Sequence, residues 1–172
     1  MLKTGIYGGS FNPIHYGHIG LAKWVIEHTD LDELWLMVSP NNPLKPASEL
    51  SDAQERLAQA REATRGIAGV RVSDFEFSLP RPTYTANTLR ALHKKYPERN
   101  FVLVIGEDNL RILNRWREWE WIIANHEIYV YPRHGETKES EIQDKHIILL
   151  QGAPYFDISS TEIRQQSKKN TK

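Results

Sequence analysis

Residues 8–18 read Gly-Gly-Ser-Phe-Asn-Pro-Ile-His-Tyr-Gly-His, directly after the apolar run Leu2–Tyr7. His15 and His18 stand three apart, so within a helical turn they share a face. Gly8 and Gly9 permit backbone conformations and close approaches that a β-carbon would obstruct, and Pro13 stiffens the turn. Imidazoles and backbone amides gathered where a strand hands over to a helix make an anion site, and a polyphosphate is its obvious occupant. Two imidazole donors on phosphate oxygens would also offset charge growing on a leaving pyrophosphate. The loop therefore favours transfer of a nucleotidyl group from a nucleoside triphosphate. Read alone, the pair also fits a metal pair or two ordinary surface histidines; the lack of cysteine and of a third ligand at fixed spacing weighs against metal.

Such a loop must be held by regular elements, and the chain supplies short apolar runs alternating with helix-like stretches, the pattern of a parallel α/β sheet. Leu2–Tyr7 is the first strand, and a helix over about 17–28 follows the loop. Glu33–Ser39 is apolar on both parities, as expected of a strand covered on two faces. A proline-rich loop from Pro40 to Ser51 is long enough to contact ligand. Ser51 or Asp52 caps a helix over 53–65, which Gly66 and Gly69 end. Val70–Phe77 reads as a third strand, Thr85 as the cap of a helix through Tyr96, and Phe101–Ile105 as the strongest central strand. A helical region over 110–125 with a break near 115–117, two strands at 127–131 and 146–150, and a last helix capped by Ser159 or Ser160 complete the pass.

Composition narrows the class. The 172 residues carry 22 basic and 22 acidic side chains, so no global charge argues for nucleic acid or a membrane surface as partner. The basic end Lys168–Lys172 reads as a solvated tail. With no cysteine, disulfides and thiolate metal sites are excluded, and a reducing, cytoplasmic setting fits. Neither a signal peptide nor a run of transmembrane length is visible. One domain over 1–172 is the expectation.

In an open parallel sheet, ligands bind beyond the carboxyl ends of strands, where the strand order reverses. Three polar clusters follow apolar strands: 8–18, 106–109 and 158–164. The first, Gly9-Ser10-Phe11-Asn12-Pro13-Ile14-His15-Tyr16-Gly17-His18, resembles the signature loop of the nucleotidylyltransferase superfamily. The last, Ile158-Ser159-Ser160-Thr161-Glu162-Ile163-Arg164, resembles its second motif. Within that superfamily, the stretches Ser39–Lys45, Arg81–Leu89 and Gly106–Asn109 leading to Trp116 are similar to bacterial nicotinate-nucleotide adenylyltransferases. The resemblance runs from residue 2 to about 165. It implies a Rossmann-like open parallel sheet with helices on both faces, in a single nucleotidyltransferase domain. It also implies ATP and nicotinate mononucleotide as substrates, and deamido-NAD and pyrophosphate as products.

The same resemblance assigns roles. His15, His18 and Arg164 would hold and stabilise the ATP phosphates. Gly9, Ser10 and Phe11 would line the nucleotide through the backbone, Ser159, Ser160 and Thr161 would meet the triphosphate at a helix N-terminus, and Gly106 and Asp108 would lie near the adenosine ribose. Lys45 would meet the acceptor phosphate, Thr85 would offer its amide to the nicotinate carboxylate, Trp116 would stack on the pyridine, and Arg117 would add positive charge beside it. Backbone N–H donors suit a carboxylate better than an amide NH₂, which gives the acid its preference. Simpler readings stand beside these: a surface ion pair for Arg164, a helix-terminal acid for Asp108, a core ring for Trp116. Many relatives carry histidine where Leu44 precedes Lys45, and relatives usually continue past the second motif with a longer helical tail. Mg²⁺ would accompany ATP, held by phosphates and water. Other acceptors (nicotinamide mononucleotide, phosphopantetheine), a non-catalytic nucleotide-binding regulator and a nucleic-acid binder are the competing classes, and a homo-oligomer is left open.

Overall fold

Parity along the strands decides the layers. In the computed structural model, which describes residues 1–40, 52–132 and 142–154, the strands are β1 (Leu2–Gly9), β2 (Glu33–Val38), β3 (Val70–Ser73), β4 (Arg99–Gly106), β5 (Ile128–Tyr131) and β6 (Ile147–Leu149). Leu34, Leu36 and Val38 of β2 and Val102 and Val104 of β4 bury on one face of the sheet. Trp35 and Met37 of β2 and Phe101, Leu103 and Ile105 of β4 bury on the other. Successive residues point to opposite faces, so only a sheet covered on both sides hides them all. Helices α1 (Tyr16–His28) and α2 (Ala53–Ala63) cover the first face through Leu21, Ala22, Val25, Leu57 and Ala60. Helices α3 (Thr85–Lys95), α4 (Glu107–Arg111) and α5 (Trp119–Asn125) cover the second through Leu89, Leu92, Leu110, Ile122 and Ile123.

The described strands pair in parallel, in the order β3-β2-β1-β4-β5-β6. This is the doubly wound order, in which the chain leaves β1 towards one edge and resumes at β4 towards the other. The switch point lies between β1 and β4, whose register pairs Ile6 with Leu103 and Tyr7 with Val104. The sheet and its helices bear out the Rossmann-like α/β expectation. Among the described residues no helix is long and apolar enough to cross a membrane.

Three boundaries differ from the sequence reading. The third strand ends at Ser73, and Phe75–Ser78 forms a 3₁₀ turn. Val70 and Val72 share one parity and Phe75 and Phe77 the other, so the alternation slips at Asp74 and a continuous strand would split the apolar set between faces. The region 110–125 starts earlier, as α4 at Glu107, and breaks over 112–118. Trp116 there has extended backbone (ψ 144°) and Glu118 is left-handed at φ 56°. Tyr84, not Thr85, is the N-cap of α3, and it makes no side-chain cap bond. Thr85 is therefore the first helical residue. Asp52 does cap α2, accepting from the Gln54 N–H at 3.0 Å; Ser51 lies outside the described residues.

Candidate nucleotide site

The loop after β1 is built around histidine caps. His15 is the N-cap of α1, its Nδ1 accepting the Gly17 N–H at 3.0 Å. The His15 N–H in turn donates to Nδ1 of His18 at 3.1 Å. This is a capping box, in which each side chain satisfies a backbone donor that the first helical turn leaves over. It also settles the tautomers. With Nδ1 accepting in both rings, a neutral imidazole carries its proton on Nε2, so each ring is a donor at its far nitrogen. The rings stack with centroids 3.8 Å apart at 26°. The three-residue spacing therefore produces a shared face, by way of capping.

The strain in the loop sits on Phe11. Its φ of 47° is left-handed, a conformation that costs a non-glycine residue roughly 1–2 kcal/mol. The ring is 2% exposed and packs edge-on against Tyr7 at 5.6 Å and His18 at 4.9 Å, contacts that offset the cost. Gly8 and Gly9 do not serve as left-handed residues; both end β1 in strand geometry. Their value is space. A β-carbon on Gly8 would meet nothing within 4 Å, and one on Gly9 would press on the Phe11 ring at 3.3 Å. Gly106, at the end of β4, lies under the Tyr131 ring, which a β-carbon would meet at 3.1 Å.

A buried arginine ties this loop to the next strand. Arg56 of α2 is 1% exposed. Its Nη1 donates to the carbonyls of Ser10 and Ser39, both at 2.7 Å, and its Nη2 donates to the Pro40 carbonyl at 3.0 Å. One guanidinium thus fixes the ends of β1 and β2. Burial lowers its pKa, but an arginine so placed stays charged. Sequence reading passed over Arg56. The signal was available: it shares the apolar stripe with Leu57 and Ala60, where a solvated arginine has no place.

Between the ends of β1 and β4 opens a crevice of about 220 Å³. Its lining includes Gly9, Ser10, Glu76, Thr85, Asn109 and Trp116; His15, His18, Phe11, Gly106, Asp108 and Arg117 are not among the lining residues. Trp116 is half-buried against the second core and also lines the crevice. Trp119 and Trp121 pack on that core and are not among the crevice's lining residues; Arg90 lies 4.1 Å over the Trp121 ring. The Arg117 guanidinium lies 5.0 Å over the Tyr84 ring, beside the α3 N-terminus. Asp108 is in the first turn of α4, 3.9 Å from Arg111; Asn109, its neighbour, is the residue that lines the crevice. Lys45, Ser159, Ser160, Thr161 and Arg164 lie outside the described residues.

Glu76 is the second residue that sequence reading missed. It is 9% exposed in the crevice wall and accepts the Thr88 hydroxyl at 2.6 Å. Burial pushes its carboxyl up to about 7, against the opposing pull of Thr88. Read as part of a strand, it had no reason to face a pocket.

Sheet order and site together define a doubly wound α/β protein with a histidine-capped loop and a crevice at the switch point. The cytidylyltransferase-like family model matches residues 6–166. The chain is 46% identical over 168 residues to a probable nicotinate-nucleotide adenylyltransferase of Flavobacterium johnsoniae, covering 97% of this chain and 87% of that one. It is 48% identical over 165 residues to a probable nicotinate-nucleotide adenylyltransferase of Bacteroides thetaiotaomicron, covering 95% and 81%. The fold matches that of Plasmodium falciparum nicotinic acid mononucleotide adenylyltransferase complexed with NaAD, with a TM-score of 0.74 over 96% of this chain and 83% of that one; identity there is 18%, so the likeness is one of fold. The chain belongs to the cytidylyltransferase-like family and, within it, to the nicotinate-nucleotide adenylyltransferases.

Proposed function

We propose that the protein transfers the adenylyl group of ATP to nicotinate mononucleotide, releasing pyrophosphate and giving deamido-NAD for NAD biosynthesis. The observation that carries this is the crevice at the β1–β4 switch. Its lining brings together Gly9 and Ser10, from the loop that precedes the His15 cap, with Thr85 and Trp116, in a chain 46% identical over 168 residues to a relative of that name. An oxygen of the acceptor phosphate attacks the α-phosphorus in line. A P–O bond forms there as the bond to the β-phosphate breaks, and no covalent enzyme intermediate is needed. The protein's part is then positioning and charge stabilisation.

In this reading His15 and His18 donate through Nε2 to the triphosphate, with Arg164 and the Ser159-Ser160-Thr161 amides and hydroxyls completing the grip. Gly9, Ser10 and Phe11 line the nucleotide through their backbone. Gly106 and Asp108 neighbour the ribose, and Lys45 meets the acceptor phosphate. Trp116 stacks on the pyridine ring, Arg117 adds positive charge, and the Thr85 amide meets the carboxylate. As the first helical residue of α3, Thr85 has an N–H that the helix itself leaves over. Mg²⁺ enters with ATP and neutralises phosphate charge. The ion would be carried by phosphate oxygens and water. The reaction belongs in the cytoplasm, within one domain over 1–172.

The test is pyrophosphate release with ATP and Mg²⁺ against nicotinate mononucleotide, nicotinamide mononucleotide and phosphopantetheine. Turnover dominated by the nicotinate form is the expected result. Equal turnover with the amide keeps the chemistry and removes the backbone account of selectivity. Absence of turnover with every acceptor, in a folded protein that binds ATP, overturns the reading.

A further inference from the structure

The crevice wall holds a carboxyl group where an anionic ligand is to be received. Glu76 lines the same crevice as Thr85 and Trp116, and its described hydrogen bond is from Thr88. Thr85 and Thr88 stand one turn apart on the same face of α3. The Thr88 hydroxyl also lies 3.3 Å from the Tyr84 carbonyl, so it can point its proton either way. With Glu76 ionised, Thr88 donates to Glu76. With Glu76 protonated, Glu76 donates to Thr88, which donates to Tyr84, and the first turn of α3 stays closed in both states.

Two carboxylates in one small pocket cannot both keep their charge cheaply. We infer that Glu76 is a positioning residue that takes up a proton when nicotinate mononucleotide binds, making acceptor binding, and so the choice of the acid, dependent on pH. The inference rests on the acceptor and on the Thr85 placement proposed above. Burial and the Thr88 hydroxyl, in that order, set the balance at Glu76 and leave its carboxyl at about 7, within reach of a nearby anion. The other titratable groups around it are accounted for on each element. Asp74, on its own turn, is exposed and 3.7 Å from Arg61 of α2. From α3 come Tyr84, under Arg117, and Lys95, whose ammonium lies 5.6 Å over the Phe75 ring. Arg81 is in the loop that follows, and Tyr7 and Tyr131 close the far side of the crevice.

The sign follows from linkage. A bound anion raises the carboxyl further, so binding takes up protons between the free and bound titration points and weakens as pH rises through that window. The KM for nicotinate mononucleotide should climb by up to about tenfold per pH unit above pH ~7, with kcat little changed. Nicotinamide mononucleotide, whose ring end is neutral, should show no such climb. The direct measurement is calorimetric titration of nicotinate mononucleotide at pH 7.5 in phosphate and in Tris. Their different ionisation heats reveal a proton taken up. Glu76→Gln, neutral at every pH, should lose that uptake and flatten the KM profile. Thr88→Val keeps the carboxyl and removes the bond that lowers it, so the climb should move to higher pH. Buffer-independent heat in the wild type, or equal uptake in Glu76→Gln, overturns the proposal and leaves the acceptor assignment standing. No heat and no turnover with nicotinate mononucleotide overturns both. Should Glu76→Gln fail to fold, the two-buffer wild-type heats and the Thr88→Val shift decide alone.

Discussion

The two ends of the sheet use charge in opposite ways. At the amino end, charged side chains close on each other. Lys3 bonds Asp30 at 2.5 Å and Glu127 at 2.9 Å, Tyr129 donates to Asp30, and Arg99 bonds Glu33 at 2.8 Å and Thr4 at 3.0 Å. Burial works against the charge on Lys3, but its bonds to Asp30, Tyr129 and Glu127 outweigh it and hold the ammonium well above its usual pKa. Burial, with the bond to Asp30, pushes the Tyr129 hydroxyl up to about 12. At the carboxyl end the loop after β1 is held through the backbone: Arg56 donates to three carbonyls, and His15 and His18 accept from two amides; the charged pairs there, Arg111 with Glu107 and with Asp108, are looser, at 3.8 and 3.9 Å. Ion pairs that cancel make a foundation. Side chains bonded to peptide groups instead set the course of a loop, which is what a binding segment at a strand end requires.

That contrast can be broken at either end. His18→Ala should lower turnover about 10²–10³-fold, the scale for one donor to developing charge, while circular dichroism and Tm stay near the parent. Turnover near the parent level would remove His18 from the machinery. Arg56→Met should cost about 3 kcal/mol in denaturant unfolding, since three buried carbonyls lose their donor, and should weaken ATP as well. A stable variant with unchanged ATP affinity would show that the clamp is dispensable. Trp116→Ala should raise the KM for nicotinate mononucleotide about tenfold, with that for ATP little moved, on the usual worth of aromatic stacking. Loss of ATP affinity alone would put the pyridine elsewhere.

A smaller effect separates the core from both ends. His126 bonds the Ile122 carbonyl through Nδ1 at 3.0 Å, so its Nε2 accepts from Nε2 of His93 at 2.8 Å. A second proton would set two N–H groups against each other. Burial lowers both pKa values, and the unfolded chain therefore binds more protons below pH ~6.5. In Glu76→Gln, which removes the opposing effect of a carboxyl that folding raises to about 7, the Tm should be level above that pH and fall beneath it; a flat Tm in that variant from pH 7.5 to 5.5 would contradict the pairing. Smallest of all, Lys3→Met should cost no more than about 1 kcal/mol and leave turnover intact, because its partner Asp30 is mostly solvated.

What the sequence could tell followed from how local each signal is. The apolar runs around Leu2–Tyr7 and Phe101–Ile105 announce buried strands without reference to anything distant, and both are present. The His15/His18 spacing likewise places two rings on one face, as found. The burial of Arg56 is legible beside Leu57 and Ala60, but its partners, like the pocket around Glu76, are non-local. A guanidinium within a charged helix becomes a clamp only once Ser10, 46 residues away, is brought to it. A glutamate after a short strand becomes a pocket group only when the parity slip at Asp74 turns it inward. The break over 112–118 was half-legible: its place could be read, but the left-handed Glu118 that makes it has no glycine to mark it.

Arg56 has a consequence for anyone who would re-engineer this scaffold. The loop after β1 and the segment leaving β2 share one guanidinium, and the Ser39 N–H also donates to the Gly9 carbonyl at 2.9 Å, so neither is an independent module. Rewriting Ser39 or Pro40 will tilt the carbonyls that Arg56 holds and will be felt at Ser10, on the other loop, as a change in pose. Libraries aimed at acceptor choice should therefore vary α2 together with that segment, selecting both as one mechanical part.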